Sequence, residues 1–363
     1  MDVVLYSEVA TADQLAAVLT AAATADWLAL DTEFQRESTY YPQLCLVQLA
    51  TSNGSFCIDA IALTDLAVFG EFLNKSSALK IFHAARQDLE ALTSAKSAAP
   101  LPLFDTQIAA ALIGHPDQVS YAWLVEHYCG VTLDKSQTRT DWVRRPLSAE
   151  QLAYAMDDVR YLNELRERLQ SVLAAEGKLD WLYEETRRLI AAADVGGTPA
   201  EAWRRVKGLT SLAPIAIPVA CRLAEWRESL AQQLNRPRGW LLKDDALLAI
   251  ARAGPRDLTT LANCAGVPPG LIRRHAGEML RIIATAAEHS VEVLEPGLRP
   301  SLETQKQLNE LQNLVAKRAR ELNVSNTLLA TRKDLERVLL GMRPERLRTG
   351  WRAEVLAADL AAY

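Results

Sequence analysis

Five polar residues whose types and spacing suit catalysis stand in three separate segments of the chain. Two of them, Asp31 and Glu33, directly follow an apolar run from Trp27 to Leu30 that predicts a buried strand. Residues two apart on a strand share a face, so these carboxylates are expected to point the same way. The five candidate catalytic residues are Asp31, Glu33, Asp88, Tyr154 and Asp158.

The other three residues are placed by their local patterns. Tyr154 and Asp158 lie in a segment, residues 149–170, that predicts a helix, and their spacing of four puts them on one face, one turn apart. Asp88 follows the strand-like segment from Leu79 to Phe82. Strand ends are where α/β sheets present ligands to a crevice, so the carboxylates are expected to meet there.

Four carboxylates at one point predict a site for divalent cations. Any one of them alone is most simply a solvated surface charge, because Asp and Glu are seldom buried unless they are paired or bind metal. Two cations about 3.5–4 Å apart can stabilise both the attacking and the leaving oxygen of a phosphodiester. Hard oxygen ligands suit Mg²⁺ or Mn²⁺, so the pattern predicts metal-dependent phosphodiester hydrolysis.

Three longer stretches carry a resemblance to a known family. They are DTEFQRESTYYPQLCLVQ (residues 31–48), HAARQDL (83–89) and DKSQTRTDWVRRPLSAEQLAYAMDDVRYL (134–162). The chain resembles the DEDD exonuclease superfamily, in the branch with a tyrosine in its third motif, and within it the bacterial ribonuclease D family. All five candidate positions match the family pattern.

The resemblance implies both a fold and a mechanism. The fold is an α/β exonuclease domain, with a ribonuclease H-like mixed sheet flanked by helices, followed by all-α helical domains. The activity is 3′-to-5′ exoribonuclease hydrolysis to nucleoside 5′-monophosphates, with tRNA precursors that carry 3′ extensions as the expected substrate. Asp31 would bridge two cations, Glu33 and Asp158 would complete one of them, and Asp88 would hold the other through water. Tyr154 would orient the attacking water and exchange its proton.

Length and composition predict more than one domain. A chain of 363 residues with 49% hydrophobic content can bury several cores. The region after residue 208 reads as helical and resembles the helicase-and-RNase-D C-terminal (HRDC) domain. A weak internal repeat, in which Leu234-Asn235 recurs as Leu322-Asn323, predicts a degenerate second copy that packs against the rest of the protein. The predicted boundaries are 1–177 for the exonuclease domain, 178–207 for a linker, 208–288 for the HRDC domain and 289–363 for the second copy.

Charge is divided unevenly along the chain. The net charge is −5, but residues 1–200 carry 15 Lys and Arg against 27 Asp and Glu, whereas residues 201–363 carry 25 against 18. An acidic half suits cation binding, and a basic half suits attraction to a phosphate backbone. Aromatic and amide side chains near the first motif could stack on or orient a terminal nucleotide. The candidate RNA contacts are Phe34, Tyr40, Gln48, Arg236, Arg238, Lys243, Arg273 and Arg274.

Other classes of protein are disfavoured by the sequence. The five cysteines form no Cys-x-x-Cys pair, which argues against a zinc site or a disulfide framework and favours reduced thiols in a cytoplasmic protein. We see no signal peptide and no run of about 20 apolar residues that could span a bilayer. No small organic cofactor is expected, and a monomer is expected.

Two alternative functions stay open at the level of sequence. DNA exonucleases share the same carboxylates, which do not tell ribose from deoxyribose, because that distinction is made at the 2′-hydroxyl. A non-catalytic RNA-binding scaffold would use the helical modules alone. The intact set of five residues disfavours the scaffold, since a chain released from catalysis has no chemical need for all of them.

Overall fold

The computed structural model describes residues 6–63, 65–95, 101–133, 140–192, 197–286, 302–361 and 363. Residues 134–139 of the third family stretch, Gly196, and the predicted boundary at residues 288–289 lie outside the described residues. The chain forms two compact units. The first comprises Met1–Gln35, Leu44–Ala193 and Leu298–Tyr363, and the second comprises Arg36–Gln43 and Asp194–Gly297.

A six-stranded mixed sheet forms the centre of the first unit, as predicted for the exonuclease domain. Its spatial order is β1-β4-β3-β2-β5-β6. β1 pairs with β4, β2 with β5 and β5 with β6 in parallel, whereas β3 and β4 are antiparallel. The strands β1 to β6 are Ser7–Val9, Trp27–Gln35, Gln43–Thr51, Gly54–Asp59, Leu79–Phe82 and Leu103–Asp105.

In the part of the chain that the structure describes, eight helices precede the segment Asp194–Gly297 of the second unit, and several of them begin at a polar cap. Ser148 accepts a hydrogen bond from the backbone N–H of Gln151, whose side chain accepts one from the backbone N–H of Ser148 in return. This capping box fixes the start of the predicted catalytic helix at Ala149. Helices α1 to α8 are Ala12–Ala22, Ala67–Lys75, Arg86–Ser94, Thr106–Leu112, Tyr121–Cys129, Ala149–Arg160, Leu162–Ala175 and Leu179–Ala192.

The two faces of the sheet are covered by two different apolar cores. Leu28 and Leu30 of β2 pack with side chains of α1, α2 and α3 on one face. Ala29 packs on the other face with side chains of α4, α6 and α7. Strand residues alternate between faces, so Asp31 and Glu33, which are in phase with Ala29, point toward the side of α6.

The second unit is helical, as predicted for the region after residue 208. Trp226 of α9, Leu247 of α11 and Met279 of α13 share its core. Three short 3₁₀ segments, Pro199–Arg205, Leu209–Ser211 and Pro214–Ala216, precede helices α9 to α13, which are Ile217–Leu234, Arg238–Leu241, Asp244–Ala253, Leu258–Ala262 and Pro269–Thr285.

The internal repeat recurs in the helix order of the C-terminal region. Five helices follow one another there, with a short second helix as in the second unit. α9 is followed by Asn235 with φ +46°, and α14 is followed closely by Asn323 with φ +49°, so the repeated Leu-Asn pair supplies a left-handed residue both times. Asn adopts this conformation more readily than most residues. Helices α14 to α18 are Leu302–Glu321, Asn326–Leu329, Arg332–Leu339, Glu345–Arg348 and Trp351–Leu360.

Two features differ from the sequence predictions. The range 178–207, predicted as a linker, contains α8, which belongs to the first unit, and the 3₁₀ segment Pro199–Arg205. The single helix predicted over residues 149–170 is two helices, α6 and α7, which break at Tyr161 (φ −103°, ψ 0°). Among the described residues, no helix is both long enough and apolar enough to cross a membrane.

Candidate active site

Three of the predicted catalytic carboxylates converge in the first unit. Asp31 and Glu33 project from β2, and Asp158 projects from α6. One carboxylate oxygen from each lies within 4.8 Å of the others, which is close enough for all three to ligate one metal ion. The period-two spacing on the strand and the placement of α6 against that face of the sheet account for this convergence.

Burial and mutual repulsion raise the pKa values of these carboxyl groups. Burial, followed by the charges of Asp158 and Asp88, raises the pKa of Glu33 to about 8. Burial, followed by the charge of Asp157, raises the pKa of Asp158 to about 7. The pKa of Asp31 is raised well above its ordinary value by burial and then by Asp88, Asp158 and Glu33. A bound cation would offset this repulsion, so an all-oxygen cation site fits the donor set.

Asp88 lies beside this group but is held separately. It occupies the first turn of α3 and is buried. The Thr32 hydroxyl donates to its Oδ1 at 2.6 Å, and the Thr32 backbone N–H donates to the same oxygen at 3.1 Å. Burial raises the pKa of Asp88 to about 7 in spite of these bonds. Thr32 sits between Asp31 and Glu33 on β2, so the first motif itself orients the carboxylate of the second.

Tyr154 lies one turn before Asp158 on α6, as its spacing predicts. Its ring is partly buried and stacks on the ring of Trp142, with centroids 6.5 Å apart and an interplanar angle of 28°. The Arg145 side chain, three residues after Trp142, donates to the Trp142 carbonyl at 2.7 Å and to both carboxylate oxygens of Asp59. The segment that precedes α6 is therefore tied to β4 and supports the tyrosine ring.

Tyr121 is a residue of this site that the sequence reasoning missed. Its hydroxyl donates to the carbonyl of Asp157 at 2.9 Å and accepts from the backbone N–H of Tyr161 at 3.1 Å. In an uninterrupted helix those two backbone groups would bond to each other. The inserted hydroxyl explains why α6 ends at Arg160, two residues after Asp158. No periodicity or motif around Tyr121 signals this role.

The comparisons with known proteins place the chain in a family. A model described as a 3′-5′ exonuclease matches residues 6–174, and a model described as the HRDC domain matches residues 218–283. The ribonuclease D of Granulibacter bethesdensis is 36% identical over 360 residues, which cover 96% of this chain and 90% of that protein. The ribonuclease D of Xanthomonas oryzae is 38% identical over 340 residues, which cover 92% of each. The chain belongs to the ribonuclease D family.

A solved structure agrees with this assignment. The crystal structure of Escherichia coli RNase D, an exoribonuclease involved in structured RNA processing, matches with a TM-score of 0.87 and 32% sequence identity. The match covers 99% of this chain and 98% of that chain. The predicted family and the predicted fold, an α/β exonuclease domain followed by helical modules, are both confirmed.

Three predicted RNA contacts of this ribonuclease D family member lie near the first motif in sequence. Phe34 packs, partly buried, against the core beside α1 to α3. Gln48 is fully buried on β3. Tyr40 is buried in the second unit, where its hydroxyl donates to Oε1 of Glu228 at 2.5 Å. These positions do not present the Tyr40 ring or the Gln48 amide to solvent, and their contact with RNA stays a prediction.

The five predicted basic contacts lie in the second unit, and four of them are solvent-exposed. Arg238 is half-buried and lies 3.7 Å from the buried carboxylate of Glu228. Trp240, on the short helix α10 and within the residues that the HRDC model matches, was not predicted as a contact; it is 63% exposed. Exposed aromatic rings and basic side chains are together typical of proteins that bind unpaired nucleic-acid strands. The exposed basic residues are Arg236, Lys243, Arg273 and Arg274.

Proposed function

We propose that this chain is a metal-dependent 3′-to-5′ exoribonuclease that releases nucleoside 5′-monophosphates from RNA 3′ ends. The observation that carries the proposal is the convergence of Asp31, Glu33 and Asp158 within 4.8 Å, beside Asp88, in a chain of the ribonuclease D family. Carboxylates gathered in this way do little to stabilise a metal-free fold, because like charges raise one another's pKa values. They make a good site for hard cations.

The metal ions of the proposal are two Mg²⁺ or Mn²⁺ ions. Asp31 would bridge them, Glu33 and Asp158 would complete one ligand set, and Asp88 would serve the other. When bound, such a pair stabilises the attacking and leaving oxygens of the phosphodiester and makes water a stronger nucleophile. The separation of Asp88 from the three-carboxylate group, together with its orientation by Thr32, supports two different ligand sets rather than one.

The chain's own proton-handling group in this proposal is the Tyr154 hydroxyl. An ordinary phenol has a pKa of about 10, so it orients the attacking water and exchanges its proton rather than acting as a strong free base. Trp142 fixes the direction of the ring by stacking on it. Tyr121 fixes the end of the helix that carries both Tyr154 and Asp158.

RNA binding by the second unit forms the remaining part of the proposal. Its exposed arginines and lysine would contact phosphates, and Trp240 would stack on an unpaired base. We propose tRNA precursors with 3′ extensions as the substrate, because a structured body with a single-stranded tail suits a binding unit joined to an exonuclease. We also propose that the protein acts as a cytoplasmic monomer; its five cysteines are free thiols.

The test uses matched RNA and DNA oligonucleotides of one sequence, each labelled at the 3′ end. With Mg²⁺ or Mn²⁺ the protein should release labelled mononucleotide from RNA first, and EDTA should abolish the reaction. The Asp31→Asn variant is the control for contaminating nuclease, since it removes one ligand charge without deleting a core contact. Preference for the DNA strand would instead make the chain a DNA exonuclease, and activity in metal-free buffer would overturn the proposed chemistry.

A further inference from the structure

Among the residues that the structure describes, one buried amide beside strand β2 has no hydrogen-bond partner. Gln48 lies on β3, the neighbour of β2 in the sheet, and its side chain is fully buried. Neither its Oε1 nor its Nε2 has a hydrogen-bond partner among the described residues. Buried amides in folded proteins are nearly always paired, because an unpaired one loses its hydrogen bonds to water without replacement. An apolar residue of the same size would fill this position at lower cost.

The alternation of side chains shows which face the amide occupies. Leu46 and Ala50, two residues to either side of Gln48 on β3, pack in the core that contains Ala29 of β2. Gln48 therefore points to the same face. Asp31, two residues after Ala29, points to that face as well. The unpaired amide and the central candidate ligand thus lie on adjacent strands and on the same side of the sheet.

We propose that Gln48 is a positioning residue of the metal-loaded site, whose Nε2–H donates to the carboxylate of Asp31 and holds that ligand in its metal-binding orientation. This inference rests on the proposed metal-dependent function. Carboxylates that ligate metals are themselves held by hydrogen bonds from surrounding groups. A side-chain donor from the neighbouring strand would give the Asp31 carboxylate a point of support outside its own strand.

The chemistry of an amide suits this place better than that of a charged side chain. A lysine would compete with the cations for the carboxylates, and a glutamate would add a fifth negative charge to the group. Glutamine offers two N–H donors and carries no charge. It can therefore orient a ligand without altering the charge that binds the cations.

The experiment replaces Gln48 with methionine, which keeps the length and volume of the side chain but removes both polar atoms. Thermal unfolding is measured in EDTA and in saturating Mn²⁺, the Mn²⁺ affinity is measured by calorimetry without RNA, and kcat and KM are measured with a short RNA. Leu46→Met is the matched control, because it introduces methionine on the same strand and the same face without removing a polar group. Gln48→Leu is a second apolar variant in case the methionine packs poorly.

We expect Gln48→Met to keep or raise the melting temperature of the metal-free protein and to lower both the Mn²⁺ affinity and kcat. Without metal, Gln48→Met should melt at the same temperature as the wild type or higher, since no hydrogen bond is lost. Its Mn²⁺ affinity and kcat should each fall by about 10- to 100-fold, the usual effect of losing a partner of a metal ligand, with KM little changed. The Leu46→Met control should change neither affinity nor kcat.

Two results would overturn the inference. A clear loss of stability in EDTA for both apolar variants would make Gln48 a structural hydrogen-bonding residue. Unchanged Mn²⁺ affinity would remove the amide from the metal site. Both measurements are made without RNA, so they decide the role of Gln48 even if the chain fails to hydrolyse RNA, and only the RNA assay tests the proposed function itself.

Discussion

The Tyr121 hydroxyl donates to the main-chain carbonyl of Asp157 at 2.9 Å, inside the helix that carries two of the candidate catalytic residues. The same oxygen accepts from the backbone N–H of Tyr161 at 3.1 Å, so a side chain of α5 replaces one helical hydrogen bond. Helices bend or end where a side chain enters their hydrogen-bond ladder. The end of α6, and with it the position of Asp158, is therefore set by a residue about 40 positions earlier in sequence.

Tyr121→Phe tests this relationship. The substitution keeps the ring beside His83 but leaves the carbonyl of Asp157 and the N–H of Tyr161 without the hydroxyl between them. We expect a loss of about 1–3 kcal/mol in the free energy of unfolding. We also expect kcat to fall by about 10- to 100-fold, as for other outer partners of metal ligands.

A matched control lies on the same helix. The Tyr128 hydroxyl bonds to Nε2 of His115 at 2.7 Å, and neither residue belongs to α6. Tyr128→Phe should lower stability by a comparable amount and leave kcat close to the wild-type value. If Tyr121→Phe and Tyr128→Phe reduce kcat equally, the effect reflects general destabilisation rather than the position of Asp158.

Tyr154→Phe separates proton handling from metal binding. The ring and its stacking on Trp142 are kept, so thermal stability and Mn²⁺ affinity should change little. Turnover should fall by about 10²- to 10⁴-fold, the usual contribution of a general acid-base group. The single-turnover rate of the Asp31→Asn variant, measured in the same assay, gives the baseline rate for comparison. An unchanged rate would show that another group orients the water, and a large loss of stability would show a structural role for the hydroxyl.

The pH dependence of stability should reveal the carboxylate group in the metal-free protein. The pKa of Glu33 is raised to about 8 and those of Asp88 and Asp158 to about 7, against 4.5 and 3.8 ordinarily. Between these values the folded state holds protons that the unfolded chain has released, so stability falls as pH rises through about 7 to 8. The stability that these protonated carboxyl groups contribute is fully present only below the ordinary pKa values, and it is lost once the pH exceeds the raised values.

Thermal unfolding in EDTA across this pH range measures the effect, and the same series in saturating Mg²⁺ should be flatter because the cation replaces the protons. Asp31→Asn removes one of the repelling charges and should give a shallower fall in EDTA than the wild type. A metal-free protein whose melting temperature is as high at pH 8 as at pH 5 would contradict the raised pKa values.

The sequence predicted the parts of the site that depend on local periodicity. Asp31 and Glu33 share a strand face, and Tyr154 and Asp158 are placed one turn apart on the described helix. It could not predict Tyr121 or Thr32 as partners, because each bonds to a residue distant in sequence. Neither the pattern around Tyr121 nor the position of Thr32 within the first motif signals that bond. The end of α6 was missed for the same reason: no proline or glycine marks it, and the break comes from a hydroxyl of another helix.

Nor could periodicity show how far the C-terminal helices are part of the exonuclease unit. Leu308, Leu311 and Val315 of α14 share one core with residues of the sheet and of α6. Trp351 stacks on Trp181 of α8 with centroids 4.5 Å apart. A truncation after residue 200 would therefore remove part of that core, and we expect it to unfold rather than to yield an active exonuclease domain.

A buried ion pair anchors this C-terminal region, and its loss should be costly. Nη2 of Arg352, which is fully buried, donates to Oε2 of Glu185 on α8 at 2.6 Å. Glu185→Gln leaves a buried guanidinium without its counter-charge, so the free energy of unfolding should fall by about 3–5 kcal/mol. Glu167→Gln, which removes an exposed partner of Arg166, should cost less than about 1 kcal/mol in the same denaturant titration. Equal effects of the two substitutions would contradict the anchoring role.

Trp240→Ala tests whether the exposed surface of the second unit binds RNA by stacking as well as by charge. Loss of one base-stacking ring should weaken the affinity for a tRNA precursor by about 1–3 kcal/mol, and it should leave the slope of log K against log salt unchanged, because no phosphate contact is removed. Arg236→Ala should instead reduce the slope by about one.

Ile215→Ala is the control for Trp240→Ala, since Ile215 is 85% exposed in the same unit but has no aromatic ring. Equal loss of affinity in the Trp240 and Ile215 variants would exclude stacking, and unchanged affinity in the Trp240 and Arg236 variants would place the RNA elsewhere.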